Sequence, residues 1–226
     1  MRHLGEQDLE ALFDAEGYFY NKDGFQFRKF LDIKRRCDTT NKDVPIEKND
    51  LSVVMMNPGS SRPRDVDENT CTDYLDKFVE AHPDATQYQI MRVMENCGYN
   101  YAKIVNLSDI RCADSDDFFR MLANELVNID HSIFSEANRH HLKTNLNSQS
   151  LFILAWGVDI KLRGLAQQAL GVLNSTDFWG ESLKKIGIPH TKEVYAYYHP
   201  LPPNYNEQVE WVKKITAKIV GGTLME

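Results

Sequence analysis

Four apolar runs stop abruptly at polar or turn residues, and this pattern limits what the chain can fold into more than any other feature. Leu51-Ser52-Val53-Val54-Met55-Met56 ends at Asn57-Pro58-Gly59, and Ala102 to Leu107 carries Asn106 near its end. Leu151 to Trp156 is stopped by Gly157, and Glu193 to Tyr198 by His199-Pro200. Such runs suit strands covered on both faces of a sheet, where no solvent face demands alternation.

The segments between the runs have helical spacing. Asp84 can cap a helix, with Gln87 three residues on, Ile90, Val93, Met94 and Cys97 on one face and Gly98 at its end. Asp114 or Ser115 starts a helix bearing Phe119, Leu122 and Leu126, and another is expected from Ser132 to Leu146. Asp159 caps a helix with Leu162, Leu165, Ala166 and Ala169 on one side and Gly171 past its end. A last one from Asn206 buries Val209, Val212, Ile215 and Ile219. The first 48 residues differ, because Tyr18, Phe19 and Tyr20 precede the turn-like Asn21-Lys22-Asp23-Gly24, and Phe25 and Phe27 then alternate with Gln26 and Arg28. That pattern predicts an antiparallel hairpin or edge strand.

Strands alternating with helices imply right-handed crossovers. The expected fold is one α/β domain over residues 1–226, with three layers and a central, mostly parallel four-stranded sheet. Residues 1–48 form an antiparallel edge segment and residues 49–226 the core.

In a parallel sheet the strand carboxyl ends face one way, and ligands bind beyond them. Asn57, Asn106, Trp156 and His199 therefore become candidates together. The first loop adds Gly59, whose backbone can approach a ligand, and Ser60, Ser61, Arg62 and Arg64, which could hold an anion. It lacks the G-x-x-x-x-G-K-S/T spacing of a phosphate loop, and a plain strand-to-helix turn is the competing reading. Asn106 offers a donor and an acceptor, as reading a base edge requires, or it ties two loops together. His199, between a strand and a proline, is placed for proton transfer. Trp156 could stack on a base or serve as packing. Asp109 and Arg111 could pair with each other.

Asp65-Val66-Asp67-Glu68 and Asp114-Ser115-Asp116-Asp117 have oxygen ligands for a hard cation, but acids at helix starts are common. His140 and His141 lack an obvious third ligand, and no metal and no cofactor is expected. Cys37, Cys71, Cys97 and Cys112 show no C-x-x-C spacing, which suits reduced thiols. The net charge of −7 disfavours a broad electrostatic grip on nucleic acid but leaves room for a local basic patch. The amino terminus has no apolar signal region, and Leu151 to Val158 is far short of the ~20 residues that span a bilayer. A soluble, cytoplasmic protein without membrane attachment is expected.

Val54-Met55-Met56-Asn57-Pro58, Asp67-Glu68-Asn69-Thr70, Ile104-Val105-Asn106-Leu107 and Ala155-Trp156-Gly157 resemble the bacterial domain of unknown function 1643 family, over roughly Phe27 to Pro203. That family usually has Asn-Pro-Ser and Asp-Asp-Pro-Thr at the first two places. More distantly, the four strand ends resemble the uracil-DNA glycosylase superfamily. That resemblance implies a glycosylase-like fold in which Asn57 positions a hydrolytic water, Asn106 reads a base and His199 stabilises charge on the departing base. An asparagine cannot itself act as a carboxylate base, and the family's His-Pro-Ser-Pro stands here as His199-Pro200-Leu201-Pro202. Leu201 could act as a wedge in a DNA stack.

The functional expectation is a hydrolase acting on a nucleobase or nucleotide, with an N-glycosylase as one form and a nucleobase, nucleotide or DNA as ligand. The alternatives are a non-catalytic module binding a nucleotide or other small ligand, and a protein-interaction domain using residues 1–48.

Overall fold

The computed structural model describes residues 2–36, 48–68 and 71–222. The chain begins with α1 (Glu6–Leu12), the hairpin strands β1 (Phe13–Lys22) and β2 (Phe25–Arg35), then β3 (Leu51–Met55), β4 (Arg62–Pro63) and β5 (Lys77–His82). Next come α2 (Ala85–Cys97), β6 (Tyr101–Asn106), α3 (Ser115–Asn124), α4 (His140–Asn145) and β7 (Leu151–Leu154). A 3-10 turn then leads into α5 (Arg163–Leu173), followed by α6 (Thr176–Trp179), β8 (Lys184–Gly187) and α7 (Tyr205–Val220).

All eight strands join one sheet in the order β4-β5-β1-β2-β6-β3-β7-β8. This corrects the expected four-stranded, mostly parallel sheet. The pairings β6-β3, β3-β7 and β7-β8 are parallel, but β4-β5, β5-β1, β1-β2 and β2-β6 are antiparallel. The hairpin is not an edge either, since β1 lies between β5 and β2, and β2 pairs with β6. Its apolar residues on both faces explain this: Phe27 and Phe30 pack on one side of the sheet, Leu31 and Ile33 on the other.

The expected fourth strand, Glu193 to Tyr198, makes only isolated bridges, of Tyr197 with Gly157 and Pro189. Its place beside β7 is taken by Lys184–Gly187. The apolar run instead packs as a flap, with Tyr197 edge-on to Trp156 at 5.0 Å between ring centres. Ser132 to Leu146 is helical only over α4, and Gly171 lies inside α5 rather than past its end. Asp65 to Glu68 precede turns and β5, not a helix. Asn69 and Thr70 of the family-like 67–70 segment, and Cys37 of the expected reduced thiols, lie outside the described residues.

Helices cover both faces. Leu9 of α1, Ile90, Met91, Val93 and Met94 of α2, and Trp211, Val212 and Ile215 of α7 pack with Leu51, Val53, Met55, Ala102 and Ile104. Phe118 of α3, Leu142 of α4 and Ala166 and Ala169 of α5 pack with Val54, Val105, Phe152 and Trp156 on the other face. Among the described residues, no helix is long and apolar enough to cross a membrane.

The β2-β6 seam joins the antiparallel half to the parallel half, and Asp32 stands directly opposite Lys103 in its register. Both are buried and form an ion pair. Tyr101 Oη donates to Asp32 Oδ2 at 2.7 Å, and Lys103 Nζ lies 5.1 Å from the centre of the Phe78 ring and 5.3 Å from that of Phe30. Removing one partner of such a pair strands a charge in the core. Asp32→Ala is therefore expected to lower unfolding free energy by ~3–5 kcal/mol in urea titrations, and adding Lys103→Met to recover most of that loss.

Candidate functional site

The parallel strands deliver their loops to a cleft of about 220 Å³ at the end of β3. It is lined by Asn57, Pro58, Gly59 and Ser60 from the β3 loop, by Asp84 to Gln87 at the start of α2, by Ala113 and Ser115 ahead of α3, and by His199 and Leu201. Asn57, Gly59, Ser60 and His199, read from the sequence as site residues, thus come together. The volume is below that of a drug-sized pocket and suits a small polar group or one ring system.

Asn57 Nδ2 donates to the carbonyls of Cys112, at 2.6 Å, and Ile110, at 3.4 Å. Its amide nitrogen therefore ties the β3 loop to the segment after β6. Gly59 has φ +63°, and a Cβ there would lie 2.7 Å from Asp84 Oδ2. Glycine is required on both counts: a left-handed backbone and the closeness of the carboxylate.

Asp84 is the residue that sequence reasoning assigned only to capping. It does cap α2: Oδ1 accepts from Thr86 N at 2.9 Å and Gln87 N at 3.1 Å, while Gln87 Oε1 accepts from Asp84 N at 2.8 Å. Its other oxygen faces Gly59 in the cleft. Burial raises its pKa above the ordinary carboxylate value, while the Arg28 guanidinium and the backbone N–H groups of Gln87, Thr86 and Ser60 pull it back. The signal in the sequence was the capping box itself, which says nothing about what stands opposite the helix start.

His199 Nδ1 accepts a hydrogen bond from Leu201 N at 3.2 Å, so in the neutral ring the proton sits on Nε2. Burial lowers its pKa to about 4, with the Leu201 contact also bearing on it. The ring is neutral at pH 7. It also walls a neighbouring groove of about 420 Å³ with Ile188, Tyr198, Pro202 and Trp211.

The other candidates lie elsewhere. Asn106 is fully buried on β6, and neither its Oδ1 nor its Nδ2 has a partner. Alternation with Ala102 and Ile104 puts it on the sheet face that α2 covers, beneath the cleft rather than lining it. Trp156 is fully buried with the core on the opposite face, its Nε1 donating to Tyr195 O at 2.9 Å. Ser61 is buried and its backbone oxygen accepts from Arg111 Nε at 3.0 Å, Arg62 is exposed on β4, and Arg64 lies 3.6 Å from Glu80 and 3.8 Å from Glu10. Arg111 pairs with Glu68, and Tyr20 Oη donates to Asp109 Oδ2 at 3.2 Å, so Asp109 and Arg111 are not each other's partners. No group of three or more histidine, cysteine, aspartate or glutamate side chains among the described residues is placed to hold a metal.

A profile for the family described as "Protein of unknown function (DUF1643)" matches residues 38–201. The chain belongs to this family. No curated protein and no solved structure is similar enough to be matched. The DUF1643 segment contains every residue lining the 220 Å³ cleft. It excludes the β1-β2 hairpin and α7, which complete the sheet and one helical layer around it.

The His199 shift gives a pH signature. A histidine whose folded pKa lies below its unfolded value favours the folded state above pH ~6.5 and loses that advantage as pH falls towards 4. At pH 4.5, relative to pH 7, the wild-type chain is expected to lose up to ~2–3 kcal/mol more unfolding free energy than His199→Gln. Urea midpoints of the two proteins at both values measure the difference.

Proposed function

We propose that this DUF1643 protein is a hydrolase acting on a small polar substrate of the nucleobase or nucleotide class, with its chemistry in the β3-end cleft. The observation that carries the reading is a carboxylate and a neutral histidine in one cleft with Asn57. Environments that separate acid from base are what hydrolytic sites require.

In this reading Asp84 takes the proton from the attacking water through Oδ2. Asn57 orients that water by accepting a hydrogen bond on Oδ1, and His199 donates from Nε2 to the group that gathers negative charge as the bond breaks. Asp84 supplies the base that an asparagine at the end of β3 lacks. His199 acts as a neutral donor, because its fixed Nδ1 acceptor contact leaves Nε2–H as the free edge. A glycosylase-like arrangement remains the nearest chemical comparison, with Asp84 reached from α2 rather than from the β3 loop. The cleft volume and the net charge of −7 favour a free nucleoside or nucleotide over a long nucleic acid.

Purified protein incubated with nucleosides, nucleoside monophosphates and uracil-containing single-stranded DNA is expected to release base or phosphate from at least one of them, read by chromatography. Asp84→Asn retains a capping side chain and is expected to lower kcat by ~10²–10⁴-fold. Wild-type rate should rise with pH through the raised Asp84 titration. Ligand-induced thermal stabilisation without any turnover would replace the hydrolase with a binding module. Neither turnover nor stabilisation would contradict both.

A further inference from the structure

Arg28 is fully buried on β2, outside the segment that matches the family. Its strand partner is Phe19, which packs on the α2 face, so Arg28 also projects to that face, under the cleft. A buried guanidinium normally fills its donors with acceptors. Among the described residues Nη1 donates to Pro58 O at 3.5 Å, while Nε and Nη2 have no partner. Pro58 is a lining residue of the cleft, and Gly59 beside it abuts Asp84 Oδ2.

We propose that Arg28 is a positioning residue of the cleft: from beneath its floor the guanidinium holds the Pro58-Gly59 turn and supplies the counter-charge that keeps Asp84 anionic. The role of Asp84 as base rests on the hydrolase reading; the coupling of the charges does not.

Asp84 and Asp109 are the carboxyl groups that the Arg28 charge acts on. Asp109, after β6, is fully buried with its Oδ2 accepting from Tyr20 of β1 and its Oδ1 unpartnered. Burial pushes it well above the carboxylate range, against the pull of Lys29, Tyr20 and Arg28 and with the push of Asp130. Burial thus disfavours its charged form. Arg111 repels Arg28 but is itself paired with Glu68. Burial lowers Arg28 only to about 10, so it stays charged at neutral pH. His199, across the cleft, is neutral there and supplies no counter-charge. Arg28 is thus the buried cation whose charge bears on both aspartates.

Side-chain carboxyl NMR of the full chain tests this without any substrate, so it succeeds or fails independently of the hydrolase. Arg28→Met is expected to raise the Asp84 titration midpoint by about one pH unit or more, and Arg28→Lys to leave it within about half a unit of wild type. A role in packing alone would leave the Asp84 midpoint of Arg28→Met at the wild-type value, and that result overturns the proposal. Should Arg28→Met fail to fold, Arg28→Gln, which keeps hydrogen-bond donors without the charge, gives the same decision: its Asp84 midpoint is expected to rise, and one left at the wild-type value overturns the proposal.

Discussion

The antiparallel seam between β2 and β6 sets the position of everything else in the structure. It fuses a hairpin-based half to a half of parallel strands, and the buried Asp32–Lys103 pair stands across it in register. A buried ion pair is a poor source of net stability but a strong constraint on register, since a slip would part its partners. With that register fixed, Arg28 falls beside the segment after β6, its backbone N–H donating to Asp109 O at 2.8 Å, and beneath the cleft that β3 opens. The hairpin thereby contributes a fully buried charge to the site.

The cleft follows from the parallel half. The β3 loop is tied to the segment after β6 by Asn57, α2 begins opposite it at Asp84, and the His199 loop closes the remaining side. Each of these residues does structural work with one atom and presents another to the cavity. Asn57 uses its amide nitrogen, Asp84 its Oδ1 and His199 its Nδ1. Such anchoring fixes side-chain geometry before a ligand arrives, which is what preorganised chemistry needs.

Much of this was legible in the chain because its signals are local. Leu51–Met55, the Asp84–Gln87 capping box, the left-handed Gly98 and the Asp23-Gly24 hairpin turn can all be read within a few residues. The losses are non-local. Lys184–Gly187 is four residues long and opens with two lysines, so it carries no apolar run. Lys185 nevertheless buries its stem and places Nζ 2.7 Å from Asn174 Oδ1. Glu193 to Tyr198 has the apolarity of a strand, but Tyr197 already lies against Gly187, where a Cβ would come within 2.6 Å of its ring. Arg28 looked like the polar side of an alternating edge strand, a reading that failed because the hairpin is covered on both faces. Asp84 was read correctly as a cap. Its second role depends on which loop faces the helix start, and no local pattern encodes that. Asn57 follows the end of the β3 run, whereas His199 follows an apolar run that forms no strand and reaches the cleft by the loop after the Tyr197 flap.

The proposed function requires that one small cleft, bounded by Asn57, Asp84 and His199, be where this protein meets its ligand. A crystal structure of the chain soaked with a nucleoside monophosphate tests it most directly. The base or sugar is expected within hydrogen-bonding distance of Asn57 Oδ1, Asp84 Oδ2 and His199 Nε2. A ligand seated instead in the groove of Ile188, Tyr198 and Trp211, with the cleft empty, would contradict it.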